Sequence, residues 1–205
     1  MIDNFLRPPR GTLEHLADAL RLLGLAGVVA AALFLEWTDV GILAFTLPGL
    51  LLARFIGMVA WGDIVVSVVL LIAAWSNVFD LYTTVPGWDN VVHFFCAGML
   101  SVVCYLLLAQ WGIVPVLSAG WDRSSVAAVV LTTTFGLALG ALWEMVEWVG
   151  VTYVTPDIFV TYEDTIGDMA IGGLGALVMG LVAARTPLLR TDQRGRQVER
   201  ARESH

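Results

Sequence analysis

Long runs of apolar residues, separated by short polar segments, repeat six times along the chain. The first run ends near residue 35, and the other five cover about residues 40–59, 64–78, 89–109, 125–149 and 164–184. A helix needs about 20 apolar residues to cross the hydrocarbon core of a bilayer, and most of the runs approach that length. The pattern therefore predicts an all-α fold, a polytopic transmembrane helical bundle of about six spans.

The two ends of the chain have different patterns. Leucines recur at helical spacing from residue 13 to residue 23, which predicts an amphipathic lead-in over about residues 12–22 that merges into the first span. From Arg185 onward the chain is polar and rich in arginine. We therefore predict one transmembrane helical domain over residues 1–184, followed by a disordered tail over residues 185–205.

The composition excludes a water-soluble globular domain. Hydrophobic residues make up 58% of the chain and charged residues only 14%, whereas soluble domains average about 25% charged residues. The mean hydropathy is +0.80. The partner that this composition predicts is the lipid bilayer, and we expect no nucleic-acid partner.

The arginines predict the orientation of the bundle. All 11 residues counted as lysine or arginine are arginines. With six spans, every one of them falls on the same side of the membrane. They are Arg7, Arg10, Arg21, Arg54, Arg123, Arg185, Arg190, Arg194, Arg196, Arg200 and Arg202. Positive residues concentrate on the cytoplasmic side, so both termini are predicted to be cytoplasmic.

Carboxylates gather at the opposite, non-cytoplasmic end of the last three spans. The residues are Asp89 and His93 in the fourth span, Glu144 and Glu147 in the fifth, and Asp164 and Asp168 in the sixth. Each pair is three or four residues apart and therefore shares a helix face. Small residues continue each face at intervals of four, which predicts that these faces meet at helix–helix contacts. We expect three of the side chains to lie roughly 6–9 Å inside their helix ends.

The crowding of negative charge at this end indicates a bound cation. Carboxylates repel one another in a low-dielectric site unless protons or cations neutralise them, and no arginine is predicted on that side. Oxygen ligands with one imidazole suit Mn²⁺, Mg²⁺, Ca²⁺, Fe²⁺ or Zn²⁺. All six residues are therefore candidate ligands of a divalent metal ion.

Simpler explanations exist for some of these residues. Asp89 and Asp164 lie near helix N-termini, where aspartate is favourable as a cap. His93 alone is compatible with a hydrogen-bonded core histidine. Glu144 and Glu147 have no such explanation, because carboxylates near a helix C-terminus oppose the helix dipole. A structural hydrogen-bonded network is the alternative to a functional site.

Four short motifs in the second half of the chain resemble the YjdF-like family of small bacterial inner-membrane proteins and, more distantly, the VanZ-type proteins. The motifs are Asp80-Leu81-Tyr82, Trp88-Asp89-Asn90-Val91-Val92-His93-Phe94, Trp143-Glu144-Met145-Val146-Glu147-Trp148 and Glu163-Asp164-Thr165-Ile166-Gly167-Asp168-Met169. The resemblance covers about residues 75–182. It implies a multi-pass protein of the bacterial cytoplasmic membrane whose motif residues belong to one site: Asp80, Asp89, His93, Glu144, Glu147, Asp164 and Asp168. Apart from the resemblance, Asp80 and Glu163 are candidates for the surroundings of the ligands. It implies no reaction.

Three functions are compatible with these observations. The first is a metal-dependent hydrolase or transferase acting on a lipid or cell-envelope substrate, with Glu144 or Glu147 as catalytic base. The second is a non-catalytic assembly or stability factor with a structural cation. The third is a cation- or proton-coupled transporter, although the inner halves of the last three spans offer few polar residues beyond Ser101 and Thr132 to Thr134.

Overall fold

The fold is helical throughout the part of the chain that the structure describes. The computed structural model of the protein describes residues 1–115, 121–155, 160–193 and 195. Its helices are α1 (Ile2–Leu6), α2 (Thr12–Phe34), α3 (Trp37–Ile56), α4 (Ala60–Val78), α5 (Leu81–Thr84), α6 (Trp88–Gln110), α7 (Arg123–Tyr153) and α8 (Tyr162–Ala183). Six of them are long and apolar enough to cross a membrane, which confirms the predicted all-α bundle of six spans. The short helices α1 and α5 were not predicted.

The described residues form two compact units. Unit 1 contains residues 1–86, 106–115 and 187–195, and unit 2 contains residues 87–105, 121–155 and 160–186. Nothing in the hydrophobic pattern, which predicted one domain over residues 1–184, indicates this division. The six candidate metal ligands all belong to unit 2.

In unit 1, α2, α3 and α4 pack around a small apolar core. Ala31, Leu43 and Ala74 are almost completely buried in it. Gly24 of α2 allows the close approach to α3, because a methyl group at this position would lie 2.6 Å from a methyl carbon of Leu50. Small residues at helix contacts are a common feature of membrane bundles.

A buried ion-pair network also connects these helices. The Arg21 guanidinium of α2 donates to the Asp63 carboxylate of α4, to Asp18 Oδ1 at 2.9 Å and to the Leu50 carbonyl oxygen at 3.0 Å. Arg54 of α3 donates to the same Asp18 oxygen at 2.6 Å. Arg21 and Asp63 are only 8% and 5% exposed. Each buried charge in this network therefore has an opposite charge as a partner.

The segment that follows α8 is folded over its first residues, so the predicted disorder from residue 185 is wrong there. Leu188 and Leu189 are buried, and the backbone of Val59 donates to the Leu188 carbonyl oxygen at 2.8 Å. The Arg190 guanidinium donates to Asn4 Oδ1 at 2.9 Å. The arginine-rich composition concealed two adjacent leucines that bury apolar surface against unit 1. Residues 196–205 lie outside the described residues.

Small residues bring the three helices of unit 2 into close contact. A methyl group on Gly175 of α8 would lie 2.0 Å from the carbonyl oxygen of Phe94 in α6. A methyl group on Gly136 of α7 would lie 2.1 Å from Cβ of Ala176 in α8. The contacts along α8 show that it runs parallel to α6 and antiparallel to α7. We call the end where α6 and α8 begin and α7 ends the carboxylate end.

We expect Gly175→Ala to destabilise unit 2. The added methyl group would collide with backbone rather than with a movable side chain, and overpacking typically costs about 1–3 kcal/mol. Gly167→Ala is the matched control in the same helix, because nothing lies within 4 Å of its added methyl group. Alanine has the higher helix propensity by about 1 kcal/mol, so the control should be neutral or slightly stabilised. Thermal unfolding in detergent compares the two; equal melting temperatures would contradict the close packing.

In unit 1, we expect Asp63→Ala to lower the free energy of unfolding by about 3–5 kcal/mol, because it removes one partner of a buried ion pair. The double variant Arg21→Met with Asp63→Leu should recover most of that loss, since no unpaired charge is left. Asp192→Asn, at an exposed pair with Arg190, should change stability by less than about 0.5 kcal/mol. Unfolding measured for the four proteins tests this order, and a double variant as unstable as Asp63→Ala would refute it.

Candidate metal centre

The predicted cluster exists at the carboxylate end of unit 2. Three neighbouring residues form its core: Asp89 and His93 on α6 and Asp168 on α8 each offer one ligand atom, and these atoms lie within 4.8 Å of one another. His93 Nε2 is 3.4 Å from Asp89 Oδ1. His93 is 8% exposed and Asp168 is 2% exposed. Two carboxylates and an imidazole therefore converge, and the imidazole and the Asp168 carboxylate are buried while Asp89 is half-exposed.

Asp168 and His93 meet because their helices are in backbone contact one turn further along. Gly172 is one turn after Asp168, and a methyl group there would lie 3.1 Å from Cβ of Ala97, which is one turn after His93. Residues four apart share a helix face. The small residues therefore point the acidic face of α8 at the histidine face of α6, as their spacing predicted.

Glu144 of α7 is a buried carboxylate without a partner. Its side chain is 6% exposed, and among the described residues neither of its oxygens accepts a hydrogen bond. Asp168 Oδ2 is in the same condition. The Thr165 side chain lies close to Glu144 without a hydrogen bond of ordinary geometry. An ionised carboxylate in such surroundings is highly unfavourable unless a cation or proton accompanies it.

Glu144 lies further from the end of its helix than the sequence predicted. Helix α7 has 31 residues and ends at Tyr153, four residues beyond the predicted end near residue 149. Glu144 is therefore nine residues from the helix end, about 13 Å at the usual helical rise, instead of the predicted 6–9 Å.

Glu147 differs from Glu144 because it is already bound. Its Oε1 accepts a hydrogen bond of 2.8 Å from the indole nitrogen of Trp143, one turn earlier in α7. The bond fixes the direction of the carboxylate and uses one of its oxygens. The sequence pattern predicts the same role for both glutamates and none for Trp143. The spacing of four residues between Trp143 and Glu147 could have indicated this bond.

Asp89 and Asp164 are the two half-exposed aspartates of the cluster, and neither is at the N-cap position of its helix. The Thr161 hydroxyl caps α8 by accepting a hydrogen bond from the Asp164 backbone at 3.3 Å. Asp89 is the second residue of α6. Their carboxylates are therefore available to the cluster, and both interact electrostatically with Glu144 and His93. The capping role considered for Asp164 belongs to Thr161, which the sequence analysis missed.

The remaining two predicted residues lie outside the group that unit 2 brings together. Glu163 is exposed in the first turn of α8. Asp80 is exposed, belongs to unit 1 and has a backbone φ of 54°, a left-handed conformation that aspartate tolerates better than most residues. Their membership of the site stays a prediction.

The described arginines of unit 2 lie away from the carboxylate end. The structure describes two arginines of unit 2. Arg123 is at the start of α7, and Arg185 follows α8, with its Cζ 5.2 Å from the centroid of the Trp121 ring. Both are at the opposite end of the helices. The carboxylates therefore have no basic side chain other than His93 to neutralise them within the described part of unit 2.

A comparison with known protein families agrees that the chain is a membrane protein. A family model described as "Predicted membrane protein (DUF2238)" matches residues 16–187, and the chain belongs to this family. The match includes the first spans as well as the region of the four motifs. No curated protein and no solved structure matches the chain.

We expect Glu144→Met to stabilise the protein when chelator has removed divalent cations. Methionine has a similar shape and removes a buried charge that lacks a partner, so the gain should be at least about 1 kcal/mol. Glu163→Met is the matched control at an exposed position and should change stability by no more than about 0.5 kcal/mol. Melting temperatures in chelator provide the comparison. A destabilised Glu144→Met protein would mean that the carboxylate has a favourable partner.

Proposed function

We propose that this family member is a metal-dependent hydrolase or transferase that acts on a lipid or cell-envelope substrate through a divalent cation bound by Asp89, His93 and Asp168. The observation that carries the proposal is a set of buried carboxylate oxygens without a hydrogen-bond partner among the described residues, both of Glu144 and Oδ2 of Asp168, in a cluster whose one basic side chain in the described part of unit 2 is His93. A divalent cation is the counter-charge that this arrangement lacks.

The donor set restricts the class of metal. Two carboxylates and one imidazole suit Mn²⁺, Fe²⁺ or Zn²⁺, and carboxylate oxygens alone also suit Mg²⁺ or Ca²⁺. No thiol takes part: Cys96 and Cys104 are in the same helix as His93, but neither belongs to the group of converging ligand atoms. The donor set therefore disfavours a soft-metal site.

The number of protein ligands favours catalysis over a structural staple. Structural metal sites are usually closed by four protein ligands, whereas catalytic sites have three and leave a position for water or substrate. A bound divalent metal supplies a water of lowered pKa and polarises a substrate oxygen. Glu144 has both oxygens free beside this position, so it is the better candidate for the base, and Glu147 is better suited to a positioning role through Trp143.

The surroundings of the carboxylate end suit a substrate from the membrane surface. Asp89 and Asp164 are half-buried, while His93, Glu144 and Asp168 are buried behind them. Exposed aromatic residues, Trp148, Tyr153 and Tyr162, lie near the same end, and such residues prefer the membrane–water interface. Together with the arginine distribution, this supports a site at the outer surface of a bacterial cytoplasmic membrane with both termini inside.

Close packing beyond the cluster disfavours the transporter alternative. A methyl group on Gly180 would lie 2.1 Å from Thr132 Oγ1, so α7 and α8 leave no room for a water between them there. The hydroxyls of Ser101 and Thr132 donate to carbonyl oxygens of their own helices at 2.8 Å. A cation or proton path needs polar groups that can rearrange their bonds, and the one proton of each of these hydroxyls is already donated to its own helix.

We expect the purified wild-type protein to retain at least one divalent cation per chain, and its melting temperature to fall after chelation. His93→Ala and Asp168→Asn should reduce affinity for Mn²⁺ at least about tenfold, since even outer partners of metal ligands contribute 10–100-fold. His15→Ala is the control, because His15 is exposed in unit 1. Elemental analysis after dialysis against Mn²⁺ measures the content. Wild type without metal and with an unchanged melting temperature would refute the metal centre.

The catalytic part of the proposal has a separate test. The protein is reconstituted in bilayers of bacterial lipid extract with Mn²⁺, and the lipids are followed by mass spectrometry. A new product should form with wild type and the His15→Ala control, and not with Asp168→Asn. Metal binding without any product, together with a lower melting temperature in the ligand variants, would favour the structural-cation alternative instead.

A further inference from the structure

We infer that the carboxylate end holds a second divalent cation, bound between Glu144 and Asp164 and adjacent to the first cation at Asp89, His93 and Asp168. This inference rests on the proposed metal centre and extends it to a two-cation site. It assigns Glu144 and Asp164 as ligands in the metal-loaded protein, so in the two-cation form Glu144 is a ligand and is no longer the candidate base, whereas a single-cation site would leave both residues without a cation.

The unused oxygens are the first argument. The first cation takes one ligand atom each from Asp89, His93 and Asp168. Glu144 is not one of these three residues, and both of its oxygens are buried and without a hydrogen-bond partner among the described residues, as is Asp168 Oδ2. Glu144 is 6% exposed, so water cannot easily solvate it. A single cation at the first position therefore explains only part of the unpartnered set.

The charge balance is the second argument. The cluster contains the carboxylates of Asp89, Glu144, Glu147, Asp164 and Asp168. If all five are ionised, one divalent cation leaves a net charge of −3 and two leave −1. The described arginines of unit 2 are at the other end of its helices. In low-dielectric surroundings an uncompensated charge of −3 is much more costly than −1.

The geometry of the helices is the third argument. Asp164 and Asp168 are four residues apart on α8 and therefore lie on the same face, separated by about one helical turn of 5.4 Å. The carboxylates of Glu144, Asp164 and Asp168 are close enough to repel one another. Paired cations in proteins are about 3.5–4 Å apart. One turn of α8 can therefore supply one carboxylate to each cation, with Asp168 shared through its second oxygen.

The test is the number of Mn²⁺ ions per chain in the full-length protein in detergent. Wild type should bind two Mn²⁺, and its electron paramagnetic resonance spectrum should have the features of a coupled pair. Glu144→Gln should bind one and give the six-line spectrum of isolated Mn²⁺. Glu163→Gln is the matched control: the same chemical change at an exposed residue of the same end should leave two Mn²⁺ bound.

Each other outcome is also decisive. One Mn²⁺ in wild type that is lost in Asp168→Asn would overturn the second cation and keep the metal centre, while no Mn²⁺ in wild type would overturn both. Loss of one Mn²⁺ in Glu163→Gln as well would mean diffuse attraction to acidic residues and would overturn the defined second position. If Glu144→Gln does not remain monodisperse, Asp164→Asn replaces it, with the same expected fall from two to one.

Discussion

The arrangement of unit 2 depends on one electrostatic constraint: carboxylates from three helices converge, two of them buried, while the described arginines of this unit lie at the other end of its helices. Glu144 and Asp168 are 6% and 2% exposed and have oxygens without hydrogen-bond partners among the described residues. Charges of the same sign at such depth oppose the assembly of the helices that bring them together. Some favourable interaction has to offset that repulsion, and the packing alone has no charge with which to do so.

The two units bury charge in contrasting ways. In unit 1, the Arg21 guanidinium directs all its donor groups to Asp18, Asp63 and a backbone carbonyl oxygen. Each charged group of this network therefore has an oppositely charged partner within unit 1. In unit 2, oxygens of similar burial are left over. Unit 1 also has buried atoms without a hydrogen-bond partner among the described residues, Arg7 Nε and Ser67 Oγ, but the leftover atoms of unit 2 are carboxylate oxygens of one cluster, and we assign them to the proposed cation site.

The sequence was sufficient for the spans and for the convergence of the cluster, because both follow from periodicity. Apolar runs predicted six spans, and stripes of small residues predicted that His93, Glu144 and Asp168 face other helices. Features that depend on one contact were not predictable in this way. The Thr161 cap, the bond from Trp143 to Glu147 and the docking of Leu188 each depend on local geometry or on a distant surface. The helix end at Tyr153 was missed because apolar residues continue past the predicted end near residue 149, so hydropathy does not distinguish helix from loop there.

The glycines of α8 link the packing to the electrostatics. Gly172 and Gly175 bring α8 into contact with α6, at distances that even one methyl group would disturb, and these contacts hold Asp168 beside His93. Wider spacing would let water enter and would relieve the repulsion, yet the small residues prevent it. Helices that meet without such contacts could separate around the charges. The close packing therefore maintains an arrangement that is unfavourable for the ionised carboxylates alone and that the proposed cations would stabilise, which is how a preorganised binding site is built.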